Sequence, residues 1–307
     1  MPDAMHFLKA VRHLNVCTVR GQRRPHQPLL LLVAISNLLQ GRRELPFADV
    51  VQALDPLLKA YAPQVSARHQ PELPYWHLRN SGLWRVPGDG DLPTQQGGFP
   101  RMEGLRRTAG HLDADFAAAL DSDPALLNEV VREILDAYFP ESLHADILAA
   151  IGLYLPEIDR VSDSESARAS ARRRDPKFRK NVLRAYEHRC AVTGFRAALE
   201  GQFFGCEAAH VRWHAYDGPD SVDNGFAVEP TLHKLFDAGA WTLSDDRKVL
   251  VSREFTESTK RGPRLGALHG RPLRSPQAGE PEVSVEFIRW HREDDQGGVF
   301  RQPALPL

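Results

Sequence analysis

The chain has few cysteines and no long apolar run. Its three cysteines are an odd number, and no two of them form a C-x-x-C pair. A disulfide framework and a four-cysteine zinc ribbon are therefore not expected. The longest apolar stretch, Leu29 to Ile35, is too short to cross a bilayer, and no N-terminal run resembles a signal peptide. These absences predict a protein of the reducing cytoplasm with no membrane partner.

An excess of one charge is also missing overall, although it occurs locally. The formal net charge of the 307 residues is -1. Between Arg168 and Arg189, however, there are nine Lys/Arg and only two Asp/Glu. Such a run is explained by a solvated linker and helix face, or by contact with phosphate if a nuclease motif follows it.

The length allows two domains. Residues 5–153 read mostly as helices, including a buried helix that begins near Pro28 and stops at Gly41. The Ser-, Ala- and Arg-rich stretch that follows has no apolar face. We therefore predict an α+β protein with a mainly helical domain over 1–155, a linker over 156–175 and a second domain over 176–307. We expect a short β-hairpin over 72–93 and a strand within 281–300, because apolar and aromatic residues alternate there.

The segment CEAAHVRWHAYDGPDSVDNGFAVEPTLHKLFDAG, residues 206–239, carries the chemistry. Two strand-length runs are separated by a turn-forming stretch, and a helix follows with Pro230 at its start. His210, Asn224 and His233 then lie on three successive elements. Asp237 follows His233 by four residues, so both side chains project from one helical face and could bind one divalent cation.

Phosphodiester hydrolysis needs a nucleophilic water, a base and a cation. A neutral imidazole suits the base, and an imidazole with a carboxylate suits the cation. An asparagine can orient the base through its amide. Each of these residues alone is explained by ordinary packing or turn formation, whereas the three on consecutive elements favour a nuclease.

Residues 178–250 resemble the HNH endonuclease family, whose ββα-metal core carries His, Asn and His in this order. The resemblance implies that His210 is the general base and that Asn224 orients it. His233, with Asp237, would bind Mg²⁺ or Mn²⁺. Many members have a further metal ligand where Ala209 stands, and Glu207 on the same strand face is the candidate substitute. Paired zinc-binding cysteines are absent, so no structural zinc is expected.

Two N-terminal stretches suggest a DNA-reading surface. RGQRRPHQPLLLL places three arginines and a histidine in a loop before a buried helix, which would hold the cations rigidly against phosphates. LPYWHLRNSGLW offers Pro74 beside Tyr75 and Trp76, a small apolar surface with aromatic walls. Plain core packing explains the second stretch equally well.

These stretches, with LPFADV and FPESLHADILAAIGL, are similar to the sulfur-binding domain of type IV restriction endonucleases that recognise phosphorothioated DNA. The similarity covers about residues 5–153. Sulfur is more weakly hydrated than oxygen, so a shallow apolar pocket accepts it at lower cost. The resemblance implies a sulfur pocket whose candidate residues are Leu73, Pro74, Tyr75 and His77. The candidates for contacts with neighbouring phosphates or base edges are Arg20, Arg24 and His26. The family usually has an aromatic residue at the position of Leu73.

The leading hypothesis is a bacterial, cytoplasmic restriction endonuclease that binds phosphorothioated double-stranded DNA and cuts nearby. One alternative is an HNH nuclease that reads methylated or otherwise modified bases, with Tyr75, Trp76 and Trp84 as a cage for a flipped base. Another is a DNA-binding regulator with an inactive nuclease fold, which Ala209 leaves open. Cutting of both strands implies a homodimer or two independent nicks, and we favour the homodimer.

Overall fold

The computed structural model describes residues 4–14, 18–19, 22–23, 25–62, 70–95, 98–153, 176–258, 264–292 and 298–306. The chain forms two compact units, one built mainly from the N-terminal half and one mainly from residue 176 onward. Helices and short strands occur in both units, which confirms the α+β prediction. The predicted linker, 156–175, lies outside the described residues. Among those described, no helix has both the length and the apolar character needed to span a bilayer.

The N-terminal unit is mainly helical. Its described helices are α1 (Ala4–Arg12), α2 (His26–Leu39), α3 (Phe47–Tyr61), α4 (Glu72–His77), α5 (Met102–Leu105), α6 (Ala114–Ser122), α7 (Pro124–Tyr138) and α8 (His144–Ala150). Two short strands that pair with each other, β1 (Thr18–Val19) and β2 (Gln22–Arg23), each have residues in both units. The described strands that lie wholly in the N-terminal unit are β3 (Leu45–Pro46), β4 (Trp84–Arg85) and β5 (Ala109–Leu112).

Helix α2 is the centre of this unit. Every residue from Leu29 to Ile35 is buried, as its uniformly apolar sequence predicts. Two later helices start where short acidic side chains cap them. Asp113 accepts from the backbone amide of Asp115, and Asp123 accepts from that of Ala125. The local sequence thus sets the helix starts, and burial of α2 sets the core.

The β-hairpin expected over 72–93 is wrong in its placement. The stretch begins with helix α4 and a 3₁₀ turn over Leu78–Ser81, and only Trp84–Arg85 is a strand, paired antiparallel with β5. Pro74 lies in the first helical turn, where its missing N–H breaks no helical hydrogen bond. The Trp84 indole N–H donates to the Tyr75 carbonyl over 3.1 Å. Tertiary packing of the aromatic residues therefore overrides their strand propensity.

The second unit consists of helices and antiparallel strand pairs. Its described helices are α9 (Pro176–Ala185), α10 (Pro230–Asp237) and α11 (Val285–Arg292). Its described strands are β6 (Ala197–Leu199), β7 (Gln202–Phe204), β8 (Glu207–His210), β9 (Gly225–Val228), β10 (Trp241–Leu243) and β11 (Val249–Val251). Consecutive strands pair antiparallel as β6–β7, β8–β9 and β10–β11.

The strand predicted within 281–300 is wrong, because residues 285–292 form α11. Ser284 accepts a hydrogen bond from the Glu286 backbone amide, which is the arrangement of a helix start. Ile288 and His291, three residues apart, are both fully buried. The helical spacing of these two residues, and not the local alternation, matches the core that they pack against.

Candidate nuclease and DNA-recognition sites

The predicted strand, loop, strand and helix of the nuclease segment are all present. Strand β8 pairs with β9 so that His210 stands opposite Gly225 at the end of the hairpin. A Cβ on Gly225 would lie 2.7 Å from the Phe178 ring and 2.9 Å from the Ala209 carbonyl oxygen. Glycine therefore lets the first turn of α9 close over the hairpin end.

His210, the predicted base, is held on two sides. Its ring stacks on Phe178 with centroids 3.8 Å apart and an interplanar angle of 12°. Its Nε2 lies 2.8 Å from Oδ1 of Asp220. The histidine side chain keeps 17% of its surface exposed. The ring is thus fixed in orientation while one part of it reaches solvent.

Asn224 acts on the loop between the two strands. It is fully buried, and its Nδ2 donates to the carbonyl oxygens of Arg212 and Pro219 over 3.0 and 2.9 Å. Its Oδ1 accepts from the Arg212 backbone amide over 2.9 Å. Both amide protons are therefore used on backbone carbonyls. The connection from Asn224 to His210 runs through Pro219 and its neighbour Asp220, a path that differs from the direct amide contact expected from the sequence.

The other predicted residues meet around His233. Its Nδ1 lies 2.8 Å from Oε2 of Glu207, and its Nε2 lies 3.3 Å from Oδ2 of Asp237. The second oxygen of Asp237 accepts from the Trp213 indole N–H over 2.9 Å. Because strand residues alternate faces, Glu207 and His210 project to opposite faces of β8. The structure thus arranges the candidate side chains as two groups that share this strand.

The carboxylate of Glu207 is stabilised in its ionised form. The hydrogen bond with His233 lowers the pKa of Glu207, and the charges of His233, Arg179 and Lys234 lower it further. Arg179 lies on α9, within the basic stretch noted in the sequence. That stretch therefore brings positive charge close to the candidate site, where a phosphate backbone would be attracted.

HNH nuclease domains use a divalent metal, and the donors around His233 can be tested for fit. The described residues contain no ready-made cluster of three or more His, Cys, Asp or Glu side chains that could hold a metal ion. Nε2 of His233 and Oδ2 of Asp237 are close enough to ligate one cation, with water or phosphate oxygens completing the coordination. Glu207 sits on the other ring nitrogen, the position from which a carboxylate orients a ligating imidazole. His233 and Asp237 therefore fit as two protein ligands of the metal, and Glu207 fits better as the residue that orients His233.

In the N-terminal unit, α4 carries the sulfur-pocket candidates. Leu73 is half-buried, Pro74 is buried and His77 is exposed. Tyr75 is fully buried, and its hydroxyl bonds with the Thr108 hydroxyl over 2.9 Å. Tyr75 therefore belongs to the core beneath this surface, Pro74 is also buried, and Leu73 and His77 form the outer part.

Arg79 was missed in the sequence and modifies this surface. Its guanidinium lies 3.4 Å from the Trp76 ring centroid, and it also pairs with Asp89. Partial burial, followed by the charge of Arg79, lowers the pKa of His77. This lowering of the pKa favours the neutral form of the exposed imidazole, which suits an apolar contact. An arginine three residues after a tryptophan on a helix was the available signal.

The predicted phosphate-contact residues are only partly described. His26 is the first residue of α2 and is buried. Arg20 and Arg24 lie outside the described residues.

The aromatic cage considered for a flipped base is used for packing. Tyr75 and Trp84 are fully buried, and Trp76 is 8% exposed. The Tyr75 and Trp84 rings meet edge to face with centroids 5.7 Å apart. As placed, these rings form core contacts and leave no cage between them.

Three functional candidates in the nuclease unit also escaped the sequence reasoning. Asp220 lies in a stretch that reads only as a turn, Phe178 reads only as an apolar helix position, and Trp213 reads only as a core residue. Their contacts with His210 and Asp237 depend on how the loop folds back, for which the sequence gives no spacing signal.

Comparison with known families fits this geometry. Residues 190–244 match the HNH endonuclease model, and residues 4–155 match the model described as the ScoMcrA-like DNA sulfur-binding domain. The chain therefore contains an HNH endonuclease domain. More particularly, this domain follows an N-terminal DNA sulfur-binding domain of the ScoMcrA-like kind.

Solved structures similar to the chain include two isolated domains. The sulfur-binding domain of ScoMcrA complexed with phosphorothioated DNA is 24% identical; the match covers 51% of this chain and 99% of that one, with a TM-score of 0.43. The sulfur-binding domain of SprMcrA complexed with phosphorothioated DNA is 27% identical; the match covers 50% of this chain and 95% of that one, with a TM-score of 0.41.

A longer similar structure is the type IV phosphorothioation-dependent restriction endonuclease ScoMcrA. It is 23% identical, and the match covers 50% of this chain with a TM-score of 0.38. The chain spans only 28% of the length of that enzyme. No curated protein matches the chain.

Proposed function

We propose that this protein is a modification-dependent restriction endonuclease that recognises phosphorothioated DNA and hydrolyses phosphodiester bonds nearby. The observation that carries the proposal is the presence, in one chain, of a sulfur-binding domain match over 4–155 and an HNH match over 190–244. A domain that selects the DNA and a domain that cuts it together define such an enzyme. We place the domain boundaries at 155 and 176, with the linker between them.

Recognition depends on the outer surface of α4. Leu73 and the imidazole of His77 present carbon surface and demand no strong hydrogen bond, and the buried Pro74 lies next to Leu73 in the helix, where we propose that its ring completes the pocket. A phosphorothioate sulfur gives up little hydration when it enters such a surface, whereas a phosphate oxygen loses hydrogen bonds to water. Arg20, Arg24 and His26 would hold neighbouring phosphates or reach base edges. Tyr75 supports this surface from below.

Cleavage depends on the hairpin and α10. His210 takes a proton from the attacking water, and Asn224 fixes the loop that positions it. His233 and Asp237 would hold Mg²⁺ or Mn²⁺, which supplies charge for the phosphate and the leaving oxygen. Glu207 fixes the His233 ring. This role compensates in part for the metal ligand that is missing at the position of Ala209. Arg179 would attract the DNA backbone.

The proposed substrate also implies the partner and the compartment. Double-stranded DNA is the partner, and a bacterial cytoplasm is where such DNA is met. One hairpin cuts one strand, so we propose a homodimer for a double-strand break.

A cleavage assay tests the proposal. Three plasmids of identical sequence, one unmodified, one carrying phosphorothioates and one methylated, would be incubated with the protein and Mg²⁺ or Mn²⁺, and both binding and cutting would be measured. We expect cutting of the phosphorothioated plasmid only, abolished by EDTA and by His210→Ala. Cutting of methylated plasmid alone would replace the sulfur reading with a modified-base reading. Binding without cutting in either metal would support an inactive DNA-binding regulator.

A further inference from the structure

The contact between Asp220 and His210 goes beyond the residues of the HNH motif. The Asp220 carboxylate reaches Nε2 of His210 over 2.8 Å. Its side chain is only 18% exposed, so water screens the contact weakly. The loop that carries Asp220 is itself fixed, because Asn224 donates to the neighbouring Pro219 carbonyl. A Cβ on Gly218 would lie 1.9 Å from the Arg212 carbonyl oxygen, so the loop closes tightly at that point as well.

We propose that Asp220 is the positioning residue of the general base, an inference that rests on the nuclease function proposed above. Asp220 accepts a hydrogen bond from the Nε2–H of His210 and so selects the tautomer in which Nδ1 carries the lone pair. Phe178 on the ring face fixes the remaining rotation of the imidazole. The carboxylate, the ring stack and the buried asparagine together set which nitrogen meets the water.

The proton balance of the step is simple. Nδ1 takes one proton from the attacking water, whose oxygen forms a new bond to phosphorus while the bond to the leaving oxygen breaks. The leaving oxygen takes a proton from solvent, and the imidazolium later returns its Nδ1 proton to solvent. Throughout the step, the Nε2–H of the ring stays hydrogen-bonded to the Asp220 carboxylate. A carboxylate at this distance stabilises the positive ring more than a neutral acceptor would. Asp220 therefore acts through His210 and touches no reacting atom.

The first test reads the tautomer and needs no cleavage. Long-range ¹H–¹⁵N spectra of the full chain, with the His210 ring assigned from its loss in His210→Gln, would identify the protonated nitrogen. We expect the Nε2-protonated form in the wild type and a mixture of both tautomers in Asp220→Ala. An Nδ1-protonated ring in the wild type, or an unchanged tautomer in Asp220→Ala, would overturn the proposal. A chain that cuts no DNA would still give this answer.

The second test reads coupling in single-turnover cleavage. Asp220→Ala should slow cleavage by roughly 100-fold, within the usual range for a positioned base, with DNA affinity unchanged. Asp220→Asn, which keeps an acceptor oxygen without the charge, should be intermediate and also serves if Asp220→Ala is unstable. The double variant with His210→Ala should be no slower than His210→Ala alone.

The matched control is Asp217→Asn in the same loop. Asp217 is exposed, and its φ of 60° is a conformation that asparagine adopts readily. This variant should cleave at the wild-type rate. Additive losses in the double variant would show that Asp220 acts independently of His210 and would contradict the positioning role.

Discussion

The candidate sites of the two units differ in how their polar side chains are hydrogen-bonded. On α4, the half-buried Leu73 and the exposed imidazole of His77 lie above a buried core that contains Pro74 and Tyr75. In the nuclease unit, His210 on the hairpin and His233 on α10 are each held by a carboxylate at 2.8 Å. The difference follows from the chemistry required. A weakly hydrated sulfur is selected by a surface that asks for few hydrogen bonds, whereas hydrolysis needs imidazoles that are fixed and polarised.

The largest effect is expected from removing the base. His210→Ala should slow cleavage by roughly 1,000-fold, since a positioned base contributes factors of this order. The preference for phosphorothioated DNA should stay, because the change lies in the nuclease unit. Single-turnover cleavage and DNA binding, measured on the same preparation, check both expectations. Asp217→Asn, in the same unit, is the control and should retain cleavage, because Asp217 is exposed and its φ of 60° suits asparagine. A variant that cut at the wild-type rate would remove His210 from the mechanism.

The stability of the recognition unit should be sensitive to changes in its packed core, and not to changes in carboxylates. A Cβ at position 110 would lie 2.1 Å from the Trp84 ring. Gly110→Ala should therefore lower the free energy of unfolding of this unit by about 3 kcal/mol, as overpacking of a rigid core does, and weaken binding to the modified DNA. Gly90→Ala, where a Cβ meets nothing within 4 Å, is the matched control. Thermal unfolding of both variants would decide, and equal melting temperatures would show that the Trp84 packing is not tight.

The nuclease unit should be the more acid-sensitive of the two through His291. Burial of this residue lowers its pKa from 6.5 to about 3, so the neutral form is required in the fold. Its stability contribution is present above pH 6.5 and is lost as the pH falls towards 3. By pH 5 the loss should be about 2 kcal/mol. Denaturant unfolding at several pH values measures it, and His291→Gln should flatten the slope. An unchanged slope would contradict this assignment.

The smallest effect is expected at the sulfur pocket itself. Pro74→Ala should reduce the preference for phosphorothioated over unmodified DNA by about tenfold, or 1.4 kcal/mol, because one apolar contact to sulfur is lost. Affinity for unmodified DNA should not change. Pro140→Ala makes the same replacement elsewhere in this unit and should leave the preference intact. If both variants kept it, the pocket would lie away from Pro74.

The comparison also shows what could be predicted from the sequence. Helices α2 and α10 were predictable because a proline near the start and a glycine after the end mark each of them locally, and because the sequence of α2 is almost uniformly apolar. The order of His210, Asn224 and His233 was predictable because the motif fixes their elements. Helices α4 and α11 were mispredicted because tertiary contacts of Trp84 and Ile288 decide them. The Asp220 contact was missed because it depends on the path of a loop, which local sequence does not encode.

The most direct test of the account is a binding titration with two short duplexes of identical sequence. One duplex would carry an Rp phosphorothioate and the other none, at fixed salt and without divalent metal. We expect at least tenfold tighter binding to the sulfur-containing duplex, a difference of about 1.4 kcal/mol in binding free energy. Equal affinity for the two duplexes would contradict sulfur recognition while leaving the nuclease assignment in place.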